Sequence, residues 1–489
     1  MQLKRFSFTF LTFCLAVASG TKAAQAVSLT TLASGFNNAR GLTYGPDNNL
    51  YLGETGTGGN GACQPSPSTA FQPICAGNSG AIAKISLNGQ VQNVVSNFQS
   101  LALQPSQYEG AGPQVLKFDS QGQAYFISGY AGFPGNRDSE LNALAPNTPV
   151  PPEQAQVAPA LPADKLLNTS DLGKFYKLDL STGKYTALAD LAKYELVNNP
   201  DKGDVISNPY DLAIKGDTAY IADGGGNAVY SVKLDGSDLK AIPLPRRTQE
   251  NPVFPPPAPG TGAPATGQAD GQALPPGGQS GQPTTPSDSQ PGSFVPPGQS
   301  GPVQTQSVPT GITVGPDGAV YVAEYSGFPF TEGSARIWRI GADGTPQVYA
   351  DGFTQITDLK FDKNGNLLAL QFGDQSQWKY SDEANIPGSL IQIAPDGTRT
   401  TLVAAGQGLE SATGIAFGPD NEIYVTNHGV GPGTGQVVRI DGIAGRGSAT
   451  VRPVPEPTSA LGVLAFGAIG ATSMLKRKRK LLAHVENNS

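Results

Sequence analysis

Three acidic residues occupy equivalent positions in different repeats of this sequence, and they are the first candidates for chemistry. Glu54, Asp223 and Glu324 each end a short apolar segment that follows a tight turn. If those segments are strands around one axis, three carboxylates surround one opening and repel each other unless a cation lies between them. Carboxylate oxygens are hard ligands that suit Ca²⁺. The pattern therefore leaves two interpretations: a calcium site at the opening, or carboxylates that are solvated or bonded to loop amides.

The same alignment defines a wider set of polar residues at one end of the repeats. Arg40 and Tyr210 come just before the first apolar segment of their repeats. His428 is the only histidine between residues 27 and 445, so it is the only side chain there with an ordinary pKa near neutrality. No Ser-His-Asp series accompanies it, and no catalytic residue is assigned. The predicted ligand-binding face consists of Arg40, Glu54, Tyr210, Asp223, Glu324, Gln371, Asn427 and His428.

These positions belong to six internal repeats, each of which has the pattern strand, turn, strand. The clearest copies are residues 41–54, 311–324 and 414–427, in which Gly-Pro-Asp stands between two apolar segments. Pro presets the first corner of such a turn, and Gly or Asn tolerates the conformation of the next. A third apolar segment follows every copy, and a fourth follows all but the last. Units of four short antiparallel strands predict an all-β fold, a six-bladed β-propeller.

The missing fourth strand of the last repeat is predicted to come from the other end of the chain. Residues 442–453 contain no suitable strand, whereas residues 27–32 have the alternating pattern of one. Pairing of this segment with residues 436–440 would close the ring and remove an open sheet edge.

The long insertions all fall at two kinds of junction, between the second and third strands or between one blade and the next. In an antiparallel blade both junctions open on one face, which we call the looped face; the other, with short turns, is the plain face. Function is expected on the looped face. The insertion 246–307 is dominated by Pro, Gly, Gln, Ser and Thr and is predicted to be disordered, and a smaller insertion spans 132–170.

Cysteine usage and charge restrict the compartment and the partners. Cys63 and Cys75 are the two cysteines outside the first 26 residues, and they predict a disulfide in an oxidising compartment, with two free thiols as the alternative. The net charge of −7 argues against nucleic-acid binding, which requires clustered Lys and Arg.

The N-terminal residues 1–26 have the pattern of a secretory signal peptide. Lys4 and Arg5 precede an apolar run, and the small-residue sequence Ala-Gln-Ala follows at 24–26. Cleavage there would leave a propeller that spans residues 27–445.

The C-terminal residues 446–489 resemble the PEP-CTERM sorting signal. Pro-Glu-Pro at 455–457 is followed by a predicted membrane helix at 458–475 and by the basic run 476–480. The resemblance implies an exosortase-type sorting enzyme as partner and a transient membrane anchor. It also implies a final location in the periplasm, at the cell surface or in the extracellular matrix. A plain transmembrane anchor is the alternative.

The repeat phrases, the Gly-rich loop with its cysteines and the C-terminal segment together resemble the ScyD/ScyE family of cyanobacteria. Single phrases such as residues 414–420 are similar to those of NHL and gluconolactonase-like propellers. The family resemblance implies an exported propeller associated with production of the extracellular pigment scytonemin or with exopolysaccharide. The preferred hypothesis is a binding or scaffold protein that uses the looped face for a small molecule, a polysaccharide or a protein. The alternative is a calcium-dependent propeller enzyme of the lactonase or sugar-dehydrogenase type.

Overall fold

The hairpins that begin the blades are fixed by a shared turn chemistry. In one of them Asp317 Oδ1 accepts a hydrogen bond from the Ala319 backbone N–H at 3.1 Å. Its other oxygen, Oδ2, accepts one from the Tyr321 hydroxyl, also at 3.1 Å. Gly318 adopts φ 74° between them, a conformation that glycine tolerates without strain. Tyr51 and Asp47 repeat the hydroxyl-to-carboxylate bond at 2.9 Å in the first hairpin. The Pro-Asp turn and the tyrosine of the next strand therefore hold each other in place.

The computed structural model describes residues 27–65, 73–137, 169–250 and 302–443. The predicted signal peptide (1–26), the sorting segment (446–489) and its membrane helix (458–475) lie outside these residues. Within the described residues, none of the helices has the length and apolar character needed to span a membrane.

The strands form six antiparallel sheets of at least four strands, which are the blades, and one separate two-stranded sheet. In chain order, the strands up to blade 2 are β1 (Ser28–Phe36), β2 (Ala39–Tyr44), β3 (Asn49–Glu54), β4 (Cys63–Pro65), β5 (Pro73–Ser86), β6 (Val91–Leu103), β7 (Pro113–Phe118), β8 (Ala124–Ser128), β9 (Lys174–Asp179) and β10 (Lys184–Asp190). Blade 3 and the separate sheet follow as β11 (Pro209–Lys215), β12 (Thr218–Asp223), β13 (Ala228–Lys233), β14 (Lys240–Pro243), β15 (Arg247–Glu250) and β16 (Pro302–Thr305).

The second half of the ring repeats the same order without extra strands. Blades 4 to 6 consist of β17 (Pro309–Val314), β18 (Val320–Glu324), β19 (Ala335–Ile340), β20 (Pro346–Phe353), β21 (Ile356–Phe361), β22 (Leu367–Gln371), β23 (Ser389–Ile393), β24 (Arg399–Val403), β25 (Gly414–Phe417), β26 (Ile423–Asn427) and β27 (Gly435–Asp441).

The first strands of the blades, β2, β7, β11, β17, β21 and β25, pack side by side in a closed ring around the central channel. Apolar side chains fill the space between adjacent blades. Between blades 6 and 1, for example, Leu42 and Leu52 belong to one buried cluster with Ala416 and Tyr424. The predicted six-bladed β-propeller is confirmed.

The ring closes where the sequence predicted. β1 pairs antiparallel with β27, from Ser28 opposite Asp441 to Phe36 opposite Gly435. The Thr30 hydroxyl also donates to Asp441 Oδ2 at 2.7 Å across this seam. The first strand of the described chain is therefore the fourth strand of the last blade.

A backbone hydrogen bond repeated in every blade shows that the two kinds of junction share one face. In each blade the residue just after the second strand donates its N–H to a carbonyl in the segment before the first strand. The six donor–acceptor pairs are Thr55–Asn38, Gly129–Gly112, Gly224–Asn208, Tyr325–Val308, Phe372–Gln355 and His428–Glu410. The looped face is thus built as the insertion pattern indicated.

Two features of the looped face differ from the sequence-based predictions. Helix α1 (Leu191–Asn198) follows blade 2, with Asp190 as its N-cap, although no helix was predicted there. The two ends of the segment predicted to be disordered, β15 and β16, pair with each other in register, so this part of 246–307 is ordered. Cys63 and Cys75 face each other across β4 and β5 and are joined by a disulfide.

Candidate ligand-binding site

Glu54, the first of the predicted metal ligands, is engaged by the backbone of its own blade. It ends β3 and is 7% exposed. One carboxylate oxygen, Oε2, accepts a hydrogen bond from the Asn37 N–H at 2.9 Å. Burial raises the pKa of this carboxyl, and the bond from Asn37 opposes the shift. Glu54 therefore anchors the segment that leads into β2.

Asp223 anchors the equivalent junction of blade 3 and accepts more hydrogen bonds than Glu54 does. Its Oδ1 accepts hydrogen bonds from the N–H groups of Asn208 at 2.6 Å, Gly225 at 3.0 Å and Gly226 at 2.9 Å. The Ser207 hydroxyl donates to Oδ2 at 2.7 Å. The side chain is fully buried, and burial raises its pKa to about 6, although all four bonds lower it. Both oxygens of this carboxylate are therefore occupied by hydrogen bonds from the adjacent loops.

Glu324 is neutralised by side chains rather than by loop amides. Arg336 donates to both of its oxygens, from Nε at 2.8 Å and from Nη2 at 2.8 Å. The Trp338 indole N–H donates to Oε1 at 2.8 Å, and the guanidinium of Arg336 lies 4.4 Å from the centroid of that ring. Burial raises the pKa of Glu324, and Arg336 counteracts it. The result is a buried ion pair inside blade 4.

The amides at the two remaining predicted positions behave like the carboxylates. Gln371 accepts from the Thr354 N–H at 2.7 Å, and Asn427 accepts from the Glu410 N–H at 2.7 Å. His428, next in the chain, has its Nδ1 at 3.3 Å from the Ala384 carbonyl oxygen. The end of the second strand is therefore a structural position that holds the preceding junction.

The calcium interpretation of Glu54, Asp223 and Glu324 does not fit this geometry. The three side chains lie in different blades, and each bonds to neighbours within its own blade. Across the described parts of the chain, no three His, Cys, Asp or Glu side chains gather as a metal site requires. The side chain at the strand end serves the loop beside it, so these carboxylates do not meet across the channel. The other interpretation, carboxylates bonded to loop amides, describes Glu54 and Asp223, whereas Glu324 is bonded to the side chains of β19.

Arg40 and Tyr210, by contrast, meet at the channel mouth. They stand at equivalent second positions of β2 and β11 and line one cavity of about 200 Å³ on the looped face. Arg40 Nη1 donates to the Gly429 carbonyl at 2.8 Å, which fixes the guanidinium at the wall. The other polar or aromatic residues that line this cavity, called the mouth cavity below, are Glu109, Gln114, Tyr130 and Asn208.

Two amide oxygens of the mouth cavity have no hydrogen-bond partner among the described residues. Gln114 Oε1 and Asn208 Oδ1 are buried and accept no hydrogen bond from the described chain. Gln114 is only 2% exposed, so bulk water does not compensate. A buried acceptor left unpaired costs about 1–3 kcal/mol. The cavity therefore presents acceptors that a hydrogen-bond donor of the right shape would satisfy.

The ionisable groups around the mouth cavity influence one another. Burial raises the pKa of Glu109 to about 8, the nearby charge of Glu383 adds to this, and Arg40 opposes it. Burial lowers the pKa of Arg40, while Tyr210 and Glu109 counteract that shift. Burial also raises the pKa of Tyr210 above its usual value. At neutral pH the cavity thus has a guanidinium, a largely protonated carboxyl and a phenol.

A cluster of aromatic and apolar side chains on the looped face, called the aromatic rim below, joins loops of blades 4, 5 and 6 to the junction between blades 1 and 2. Tyr108, Tyr325 and Tyr380 pack, partly buried, against the apolar cluster of Phe372, Ile386 and Val430. The Tyr325 hydroxyl donates to Gln377 Oε1 at 3.0 Å, and Gln377 Nε2 donates to Glu383 Oε1 at 3.1 Å. These contacts hold the rim loops together.

Sequence reasoning found Arg40 and Tyr210 but missed their most informative neighbours. Gln114 is the second residue of β7, equivalent to Arg40 and Tyr210, and Asn208 directly precedes β11, so both had a positional signal. Glu109 had no positional signal in the sequence, because it lies outside the repeats, in the junction between blades 1 and 2, where its φ is 54°. Its place beside Arg40 depends on the course of that junction.

Known proteins are only distantly similar to this chain. No family model matches the chain, and no curated protein sequence matches it. Among solved structures, a catalytically inactive virginiamycin B lyase from Staphylococcus aureus is 12% identical with TM-score 0.40 (85% of this chain, 98% of that one). A gluconolactonase from Xanthomonas campestris is 11% identical with TM-score 0.39 (86% and 92%). The calcium-binding protein regucalcin from Agrobacterium tumefaciens is 11% identical with TM-score 0.40 (85% and 94%). Similarity at this level says nothing about the chemistry of this chain.

Proposed function

We propose that this protein is an exported binding or scaffold protein of the cell envelope or extracellular matrix. Its mouth cavity would take one hydroxylated ring, such as a terminal sugar residue of an extracellular polysaccharide. The observation that supports this is the pair of buried, unpaired acceptors, Gln114 Oε1 and Asn208 Oδ1, on the wall of a cavity. Sugar hydroxyls donate hydrogen bonds, so such a ligand would recover the free energy that the unpaired acceptors cost.

The size and the remaining walls of the mouth cavity suit a single ring. Its volume of about 200 Å³ is below the roughly 300–1,000 Å³ of pockets for drug-sized ligands. Tyr130 and Tyr210 supply aromatic surface, and Arg40 supplies a donor that complements ring and hydroxyl oxygens. A pigment precursor with a flat apolar ring would use the aromatic surface but leave the two amide oxygens unpaired. A saccharide is therefore the preferred ligand.

The place of action rests on the two ends of the sequence. A signal peptide at 1–26 and a sorting segment at 446–489 that an exosortase-type enzyme cleaves would deliver the propeller to the surface or the matrix. There, a domain that binds chain ends of exopolysaccharide would act as a scaffold, and the resemblance to the ScyD/ScyE family would associate it with deposition of extracellular pigment.

The test is a ligand screen on the full chain by thermal shift, followed by calorimetric titration of the hits. The panel contains monosaccharides and oligosaccharides in one arm and phenolic and indolic compounds in the other. We expect the saccharide arm to raise the melting temperature. Gln114→Leu should weaken binding by about tenfold or more, since about 1.4 kcal/mol is one decade in affinity.

A matched pair of tyrosine variants separates the mouth cavity from general effects. Tyr210→Phe removes a hydroxyl at the looped face, whereas Tyr44→Phe removes one at the plain face, where it bonds Asn48. Only the first should change saccharide affinity. Binding by the aromatic arm alone would replace the saccharide with a pigment precursor, and no binding in either arm would refute a ligand site at the mouth.

The alternative, an enzyme of the lactonase or sugar-dehydrogenase type, has one observation in its favour. Glu109, with a pKa raised to about 8, stands beside Arg40 and Tyr210, and perturbed carboxyls of this kind serve as general acids or bases. Lactone hydrolysis and sugar oxidation should be assayed with and without Ca²⁺, in wild type and in Glu109→Gln. Turnover that Glu109→Gln abolishes without loss of saccharide affinity would favour the enzyme.

A further inference from the structure

A second cavity opens at the other end of the channel, on the plain face. Its volume is about 420 Å³, and it is lined by the last residues of the first strands, among them Phe118, Val314 and Phe417. Lys117 and Lys360 also line it. This plain-face cavity therefore combines apolar side chains with two amines.

Two aspartates beneath the lysines are held by the backbone of the next blade. Asp211 Oδ2 accepts a hydrogen bond from the Ile312 N–H at 3.0 Å. Asp358 Oδ2 accepts one from the Ile415 N–H at 2.7 Å. Both side chains are less than a tenth exposed. The two carboxylates are thus fixed in position, each with its other oxygen directed at a lysine.

The two lysines have different environments. Lys360 Nζ lies 3.4 Å from Asp358 Oδ1, and the charges of Asp358 and Asp211 raise its pKa although burial opposes them. Lys117 Nζ lies 3.1 Å from Asp211 Oδ1 but is buried without a hydrogen bond to the described chain. Burial lowers the pKa of Lys117 to about 8. The charge of Lys360 adds to this, and Asp211 and Asp358 oppose it. Lys360 is therefore a fixed cation beside an amine that is partly neutral at physiological pH.

We propose that Lys117 is a nucleophilic amine that forms an imine with an aldehyde or ketone bound in the plain-face cavity. A lysine in an apolar pocket next to another cation is an arrangement that activates amines. The Nζ lone pair attacks the carbonyl carbon, and the carboxylate of Asp211 carries one N–H proton to the alkoxide oxygen that forms, which gives a neutral carbinolamine. Asp211 then takes the second N–H proton and delivers it to the hydroxyl, which leaves as water while the C=N bond forms. Amine and carbonyl thus become imine and water, with no oxidant or reductant required.

The walls indicate the class of carbonyl compound. Phenylalanine, valine and isoleucine side chains around the cavity favour an apolar or aromatic body, with the carbonyl directed at Lys117. This site is separate from the mouth cavity, so its failure would leave the proposed saccharide binding intact.

Reductive trapping tests the proposal. The full chain is incubated at pH 7 with benzaldehyde and sodium cyanoborohydride, and labelled lysines are quantified by peptide mass spectrometry over time. An amine with pKa about 8 has on the order of a hundredfold more neutral form at pH 7 than an ordinary lysine. Even with restricted access, we expect Lys117 to be labelled at least tenfold faster than exposed lysines such as Lys193.

Two variants make the result specific. Lys117→Met should abolish the fast label while slow labelling elsewhere continues. Lys360→Met removes the neighbouring cation, so labelling of Lys117 at pH 7 should fall while labelling at pH 10 stays the same. A structural role for Lys360 alone would not produce this pH dependence. If Lys117 in the wild type is labelled no faster than exposed lysines, the proposal is wrong, and that measurement requires no variant to fold.

Discussion

The buried carboxyl of Glu195 should make the stability of this propeller depend on pH in a direction opposite to the usual one. Glu195 lies in α1 and is fully buried. Its Oε2 accepts a hydrogen bond from the Tyr230 hydroxyl at 2.9 Å, while Oε1 has no partner in the described chain. Burial, reinforced by the charge of Asp223, raises its pKa to about 9.

The sign and size of the effect follow from the two pKa values. In the unfolded chain Glu195 ionises near its ordinary pKa of 4.5, whereas in the folded protein it keeps its proton up to about pH 9. Stability from this group is therefore full below pH 4.5 and declines as pH rises towards 9. Three pH units above 4.5, at pH 7.5, the loss is about 4 kcal/mol, at about 1.4 kcal/mol per unit, as an upper bound.

Glu195→Gln isolates this term because the amide can accept the same bond from Tyr230 but does not ionise. Melting temperatures of wild type and variant are compared from pH 4.5 to 8.5. They should agree at the acid end, and the variant should become more stable by several degrees at pH 7.5. Asp223, with its pKa raised to about 6, also makes the protein less stable as pH rises towards 6. This contribution is present in both the wild type and the variant, so the comparison removes it.

Glu332→Gln is the control, since Glu332 is exposed and its pKa is lowered by Lys379. This variant should be equally or less stable than wild type above pH 5. The prediction is refuted if Glu195→Gln and the wild type have the same melting temperature at every pH. It is also refuted if the wild type becomes the more stable of the two as pH rises.

Three further predictions concern the blades. Glu324→Gln should destabilise the protein by about 3–5 kcal/mol in denaturant titration, because it leaves Arg336 in a buried site without its counter-ion. Asp217→Asn, which breaks an exposed ion pair, should cost much less stability than Glu324→Gln, and equal losses would contradict this. Excess Ca²⁺ should not raise the melting temperature. A ligand bound at a hundred times its Kd would stabilise the fold by about 2.7 kcal/mol, so a clear shift that EDTA reverses would show that a metal site exists. Deletion of residues 28–34 should expose the edge of β27 and cause association detectable by size-exclusion chromatography with light scattering, whereas an unchanged monomer would show that closure is dispensable.

The sequence alone determined the architecture, because its signals are local and repeated. A Pro-Asp turn between alternating apolar segments specifies a hairpin wherever it occurs, and six copies with one strand missing specify both the blade number and the closing strand. The position of the insertions likewise identified the looped face, since strand direction alternates strictly within an antiparallel sheet.

Only the tertiary structure decided which polar groups meet. Glu54, Asp223 and Glu324 align in sequence, yet the first two bond to the junction beside them and Glu324 bonds to Arg336 in the neighbouring strand, because buried carboxylates are stabilised by the nearest donors. Lys117 and Lys360, far apart in the chain, meet because their first strands line the same channel. Which charges share a cavity is set by the packing of blades around the axis, and no local pattern in one repeat records the side chains of the blade opposite.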